Sequence, residues 1–386
     1  MNDPAKASLE RLAHAGIEAL RRGDATTARQ AFADVTATGR AAPQIWLFLA
    51  QACDQLDDRP AARAALAEVL RVDGINPYAL VMHGEICTRD GDDRGAVSWY
   101  DRALAAAATI SGLPTDLIDR LKRAENERGA ATARFRTQME TVLAAAGVDA
   151  AGPRFAEALA IVAGETRPYL QEPSSFYFPG LPQRAFYDPS EFGWAAALAA
   201  ATPAIAAEAH AVLADRTGVA PYVERPVDRP IRGHSLMEDP RWSAFHLLKG
   251  GEPVAANATR CPATMAALAG LPIPVIKGRS PMVLFSILAP GTHIEPHNGM
   301  LNTRLICHLP LIVPPDCRLR VGNYTRNVRA GEVMIFDDSI EHEAWNDSAD
   351  MRVILLFEIW RPELSAAERD ALTVMFESVT RYDEAQ

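Results

Sequence analysis

The chain has little that would tie it to nucleic acid, to a membrane or to an oxidising compartment. Its 39 Lys and Arg stand against 49 Asp and Glu, a formal net charge of −10. It therefore lacks the basic excess that phosphate backbones and anionic lipid surfaces attract. No run of 18 apolar residues occurs, and the first residues, MNDPAKASLERLAHAG, contain no apolar signal-type segment. The expectation is a cytoplasmic protein with neither nucleic acid nor membrane as a partner. Five cysteines (53, 87, 261, 307 and 317) are an odd number with no CxxC pair, which speaks for reduced thiols and against a disulfide frame. GxSxG, HExxH and P-loop motifs are missing, which removes the common hydrolase, zinc-protease and nucleotide-binding readings.

What is present begins with a repeat. At 386 residues, 48% of them hydrophobic, the chain is long enough for two cores. Over residues 9–104 several classes of position recur every 34 residues: Ala28, Ala62 and Ala96; Phe32, Leu66 and Tyr100; the turn positions Gly23, Asp57 and Gly91; the small residues Gly16, Ala50 and Gly84; and Pro43 with Pro77. Small residues let two helices approach, and the large residue four after each repeated alanine fills the groove between them. The pattern resembles the tetratricopeptide repeat. That resemblance implies an α-solenoid over 1–110, which can dock a peptide or serve only as scaffold. Residues 111–170 read as a helical cap and linker. At 167–194, RPYLQEPSSFYFPGLPQRAFYDPSEFGW crowds proline and aromatics together and marks a boundary.

From 275 onward, short apolar runs alternate with turn signals: PMVLFSILAPG, NTRLICHLPLIV, DCRLRVGNYTRNV, GEVMIFDDS, HEAWN and MRVILLFEIW. They predict a double-sheet β architecture. The helix-patterned stretch FGWAAALAAATPAIAAEAHAVLAD precedes them, and LSAAERDALTVMFESV, capped by Ser365, closes the chain.

Three of the nine histidines fall within GTHIEPHNGMLNTRLICH, residues 291–308. Two histidines and a carboxylate around open positions are the ligand set of non-haem iron oxygenases. His293-Ile-Glu295 supplies a literal HxE that His342 could complete. His297-Asn-Gly299 instead has glycine where the carboxylate belongs. Spacing alone favours His293. His14, His83, His210 and His234 read as structural or surface histidines.

Five ordered stretches, PGLP…FYD (179–188), GTHIEPHNG (291–299), NTRLICHLPL (302–311), GEVMIFDDSIEHEAWN (331–346) and RPEL (361–364), resemble the aspartyl/asparaginyl β-hydroxylase family of Fe(II)/2-oxoglutarate dioxygenases. The resemblance implies a jelly-roll (double-stranded β-helix) catalytic domain over 171–386, so that the whole is an α + β multidomain chain. It places Fe(II) on His297 and His342, with water in the carboxylate's position, and keeps His293 as the runner-up. It also implies that Arg352 and Ser286 hold the far carboxylate of 2-oxoglutarate, that His308 lies near the other carboxylate, and that Arg304 reaches 2-oxoglutarate or substrate. Buried within MRVILLF, Arg352 needs an anion in any case. Asp338 is expected beside the metal or the substrate, and Trp242 and Phe245 in an aromatic patch before the barrel.

The implied activity uses O2 and 2-oxoglutarate to hydroxylate an unactivated carbon, such as the β-carbon of an Asp/Asn-type residue in a peptide, protein or carrier-bound amino acid docked by the repeats. Two alternatives stand beside it: an adaptor whose barrel only senses 2-oxoglutarate, and a halogenase using an open position left by Gly299. One departure is visible. Relatives often carry RxRxH, and Ile306 stands here in place of the second arginine.

Overall fold

The computed structural model describes residues 4–39, 41–147, 152–225 and 235–384; His234 lies outside them. Contacts divide the chain into two compact units, Met1–Arg167 and Pro168–Gln386.

In the first unit, α1 (Pro4–Arg21) and α2 (Ala25–Thr36), α3 (Pro43–Gln55) and α4 (Arg59–Val72), and α5 (Pro77–Asp90) and α6 (Asp93–Ala107) form three hairpins. They are followed by α7 (Thr115–Ala145) and α8 (Pro153–Ala163). The 34-residue register is physical. Ala28, Ala62 and Ala96 are fully buried, and Phe32, Leu66 and Tyr100 fill the grooves beside them. A Cβ on Gly84 would stand 2.4 Å from the Tyr100 ring and one on Gly16 2.7 Å from Phe32, which is why those positions stay small. Each hairpin turns through a left-handed residue, Gly23, Asp57 or Gly91 (φ +79°, +58° and +73°). The aspartate that follows, Asp24, Asp58 or Asp92, caps the second helix by accepting from the backbone N–H three residues on, at 3.0, 3.1 and 2.9 Å. Such caps contribute about 1 kcal/mol each.

The second unit opens with β1 (Phe186–Tyr187) and a 3-10 turn at Pro189–Glu191. The expected single helix after it is two, α9 (Ala195–Ala200) and α10 (Thr202–Asp215), broken at Ala201 before Pro203. There follow β2 (Val219–Pro221), β3 (Trp242–Lys249), β4 (Glu252–Pro253), α11 (Ala255–Ala258) and α12 (Pro262–Leu268). Then come β5 (Val283–Leu288), β6 (Thr292–His297), β7 (Arg304–Ile312), β8 (Cys317–Val321), β9 (Tyr324–Asn327), β10 (Met334–Phe336), β11 (His342–Asn346) and β12 (Arg352–Trp360). The helix α13 (Ala366–Glu384) ends the described chain, capped by Ser365, whose Oγ and N–H both donate to Glu368.

The strands make two antiparallel sheets. The larger runs β1-β10-β7-β12-β5-β3-β2, with β4 on β3, and the smaller runs β6-β11-β8-β9. Both faces of the larger sheet are covered, which explains the unbroken apolar runs in β5, β7 and β12. Odd-numbered residues such as Phe285, Leu305, Leu309, Leu355 and Phe357 pack with Ile205, Val212 and Leu268 of the helices. Even-numbered residues such as Leu284, Leu288, Ile306 and Leu356 pack with Ile294, Leu319, Val321 and Ala344 of the smaller sheet.

A buried polar clamp ties residues 171–187 to this sandwich. Arg361 and Asp337 are both wholly buried and pair at 2.7 Å. Asp337 also accepts from Gln171 and Ser339, while Arg361 donates to Tyr187 Oη and to the carbonyls of Pro182 and Asn302. Removing one member leaves the other charged and unsatisfied. Asp337→Ala is expected to lower stability by roughly 3–5 kcal/mol, read as a shift of the urea midpoint in circular dichroism.

Candidate active site

The two sheets open at one end into a cavity of about 370 Å³. Its walls follow from the alternation already described. Ser286, Arg304, Ile306, His308, Arg352, Ile354 and Leu356 come from the larger sheet, and Ile294, His297, Leu319, His342 and Ala344 from the smaller.

His297 and His342 are partners across β6 and β11, with ring centroids 4.1 Å apart. A β-bulge decides this. Between the pairs His342–His297 and Ala344–Ile294, β6 carries two residues, Glu295 and Pro296, where β11 carries only Glu343. The extra residue reverses the alternation, so His297 faces the cavity with Ile294. In an unbulged strand it would share a face with His293. β6 is an edge strand, where a proline costs no ladder hydrogen bond. His293 is left outside the cavity: its Nε2 pairs with Glu343 at 2.8 Å and its ring stacks on Trp345. The histidine that the HxE spacing favoured thus lies on the outer face.

Both cavity histidines are oriented alike. His297 Nδ1 donates to the Glu295 carbonyl at 2.8 Å and His342 Nδ1 to that of Ile340 at 3.1 Å. With the proton on Nδ1, Nε2 is the lone-pair nitrogen of each ring, the arrangement metal-ligating imidazoles adopt. Burial pushes His342 down to about 4, with Arg320 adding to the effect and the Ile340 and Asp338 carbonyls opposing it. His308 is driven well below its ordinary value by burial, then by Arg352 and His342. Each of these two imidazoles is neutral at pH 7. Among the described residues no group of three or more His, Cys, Asp and Glu is arranged to hold a metal ion; the pair is a two-histidine arrangement.

Arg352 is 2% exposed, and its Nε has no hydrogen-bond partner. Among the described residues it has no carboxylate partner, and burial lowers it to about 10, still charged at pH 7. It lies on the same sheet face as Ser286, whose hydroxyl accepts from Trp242 Nε1 at 3.1 Å. Trp242 stacks on Tyr222, 4.2 Å between centroids, and stands 6.3 Å from the His297 ring. Phe245, on the opposite face of β3, belongs to the helix-side core. His308 packs edge-on against Phe336.

Arg304 is less available than the sequence suggests. Its guanidinium is ion-paired to Glu358 and lies 3.4 Å from Asp338. Burial works against its charge, and the carboxylates of Glu358 and Asp338 more than offset that. Glu358, fully buried, is the residue that pattern reading missed. Its signal was the same as that of Arg352, a charge inside an apolar strand run. Asp338 lines the cavity and is raised by burial against the pull of Arg304; its Oδ1 has no partner.

A Cβ on Gly299 would lie 2.0 Å from Asp338 Oδ2. The space a carboxylate would take at position 299 is thus filled by Asp338, arriving from the turn after β10.

With this geometry in hand, comparison with known proteins is direct. Residues 199–362 match the family model described as Aspartyl/Asparaginyl beta-hydroxylase. That stretch resembles an aspartyl/asparaginyl β-hydroxylase domain. The second unit is similar to the aspartyl/asparaginyl beta-hydroxylase of Mus musculus, 38% identical over 139 residues, 36% of this chain and 19% of that one. It is similar to the ornithine lipid ester-linked acyl 2-hydroxylase of Rhizobium tropici, 36% identical over 184 residues, 47% of this chain and 62% of that one. The chain thus spans between a fifth and about three-fifths of these relatives. In the helical unit, the crystal structure of PcrH in complex with the chaperone binding region of PopD covers 34% of this chain and 95% of its own, at 22% identity and TM-score 0.31. That score is too low to carry weight, and the repeat assignment rests on the 34-residue register and its packing.

The overlap at Gly299 generates a test of the second unit. Gly299→Asp is expected to lower stability by about 1–3 kcal/mol, as overpacking does, and Asp338→Gly in the same chain to restore most of it. Urea unfolding of the two variants checks both expectations.

Proposed function

We propose that the protein is an Fe(II)- and 2-oxoglutarate-dependent hydroxylase of an unactivated carbon, such as the β-carbon of an Asp/Asn-type residue in a peptide, protein or carrier-bound amino acid. The observation that carries this reading is the buried Arg352, a guanidinium with no carboxylate partner among the described residues, on the wall of a cavity that also holds two facing imidazoles. Two imidazoles suit Fe(II), and an unpaired buried guanidinium suits one carboxylate of a small diacid through its bidentate fork. The residues present therefore fit the group. His297 and His342 would hold the metal through Nε2, and Arg352, with Ser286 beside it, would hold the far carboxylate of 2-oxoglutarate. His308 lies on the same wall. When bound, the iron and the diacid activate O2 for insertion into a C–H bond.

The chain's own contribution is orientation and exclusion. The Glu295 and Ile340 carbonyls fix the two rings. Burial keeps His342 and His308 unprotonated. The Tyr222–Trp242 stack and Phe336 close the apolar side of the cavity, and Asp338 occupies the space above Gly299, where it can hold a water in place of a protein carboxylate. The relatives named above act, by their names, on aspartyl and asparaginyl groups and on a lipid acyl chain. A repeat array favours a peptide or a carrier as the docked partner. No helix among the described residues is long and apolar enough to cross a membrane, and all five cysteines are free and buried. Both facts suit a reducing cytoplasm.

Anaerobic titration with Fe(II) and 2-oxoglutarate tests the reading through the weak visible charge-transfer band of the chelate. The band is expected in the wild type and in His293→Ala, and should be lost in His297→Ala and in His342→Ala. Arg352→Gln should weaken 2-oxoglutarate roughly 10- to 100-fold, the loss of a charge-assisted contact of ~1.5–3 kcal/mol. A wild type without the band, or a band that only His293→Ala removes, overturns the assignment.

A further inference from the structure

We propose that Glu358 sets substrate specificity by occupying Arg304, so that among the substrates named above the cavity takes an uncharged reacting segment, amide or aliphatic, and rejects a carboxylate such as an Asp side chain. The inference rests on the oxygenase reading for which wall faces substrate, but the charge balance stands by itself. Arg352 is the cavity guanidinium of the larger sheet without a carboxylate among the described residues, and the diacid would use it. Arg304, on the same wall, already meets two carboxylates, Glu358 and Asp338. Glu358 has no exposed surface and is fixed at its other oxygen by the backbone N–H of Met282 at 3.2 Å. It sits directly across the β7–β12 ladder from Ile306. The position beside Arg304 on the inner face is thus an isoleucine flanked by an anion.

A carboxylate brought against this wall would find its natural partner taken and two like charges at hand, a repulsion that low local dielectric strengthens. An aliphatic or amide-bearing segment meets Met282, Ile306, Ile354 and Leu356 with no such penalty. Arg279, the remaining guanidinium on the lining, donates through Nε to Thr380 and lies over the Phe376 ring. Its charge therefore stays beside α13, where it can meet an anionic group carried away from the reacting carbon.

Butyrate and butyramide, near-isosteric and differing in charge, are suitable probes. Their affinities are measured by ligand-observed NMR on full-length protein saturated with Mn(II) and 2-oxoglutarate under argon. In the wild type butyrate is expected to bind no more tightly than butyramide. Glu358→Gln keeps an acceptor for the Met282 N–H and releases Arg304, and should bind butyrate at least tenfold more tightly than the wild type does. Arg304→Gln/Glu358→Gln should lose that gain, which separates Arg304 from Arg279 as the receptor. Tighter butyrate than butyramide in the wild type, no gain in Glu358→Gln, or a gain that survives the loss of Arg304 overturns the proposal. Failure of the oxygenase reading is distinguishable, because the same samples report whether Mn(II) and 2-oxoglutarate bind at all. If they do not, the probe comparison is repeated on metal-free protein in an Arg352→Gln background, with the same criteria.

Discussion

A single inserted residue in β6 determines which histidine faces the cavity. Two residues, Glu295 and Pro296, face Glu343 alone, and the strand's alternation reverses between Ile294 and His297. His297 then stands opposite His342 inside the sandwich, while His293 goes to the outer face and pairs with Glu343. The bulge is tolerated because β6 lies at the edge of its sheet. The facing imidazoles, the backbone carbonyls that fix their tautomer and the burial that keeps His342 neutral all depend on that change of side.

Two buried cations of the larger sheet differ in their partners: among the described residues Arg352 has no carboxylate and Arg304 has two. Arg352 is buried without a carboxylate among the described residues, a state that is costly unless a ligand completes it. Arg304 is paired with Glu358 and Asp338, although its buried Nε has no partner. The difference assigns opposite consequences to two arginines of the same wall: one awaits an anion, and the carboxylates beside the other repel a further one. Asp338 adds to this asymmetry, since it fills the space above Gly299 that a ligand carboxylate at that position would need.

The helical unit and the sandwich were legible in the sequence to different depths. The repeat was readable because each class of position has a packing duty: alanines at close approach, Phe32, Leu66 and Tyr100 in the grooves, and left-handed turns at Gly23, Asp57 and Gly91 leading into Asp caps. The strands of the second unit were readable as apolar runs between turn signals. The larger sheet is buried on both faces, so its runs do not alternate in polarity and could not reveal which residues line the cavity. The break between α9 and α10 at Ala201 had a local mark in Pro203, which stands just inside the second helix, but the alanine-rich run on either side masked it.

Composition and order in the sequence determined the two-part architecture, the acidic net charge and the candidate set of His297, His342, Arg352, Ser286, His308 and Asp338. Tertiary structure alone decided which of His293 and His297 faces the cavity, because a bulge is defined by the partner strand and leaves no local periodic mark. It also decided that Arg304 is neutralised, since Glu358 lies 54 residues away in the chain and reaches it only across the β7–β12 ladder. Local pattern reports what each residue prefers; the pairing of strands determines which charges meet.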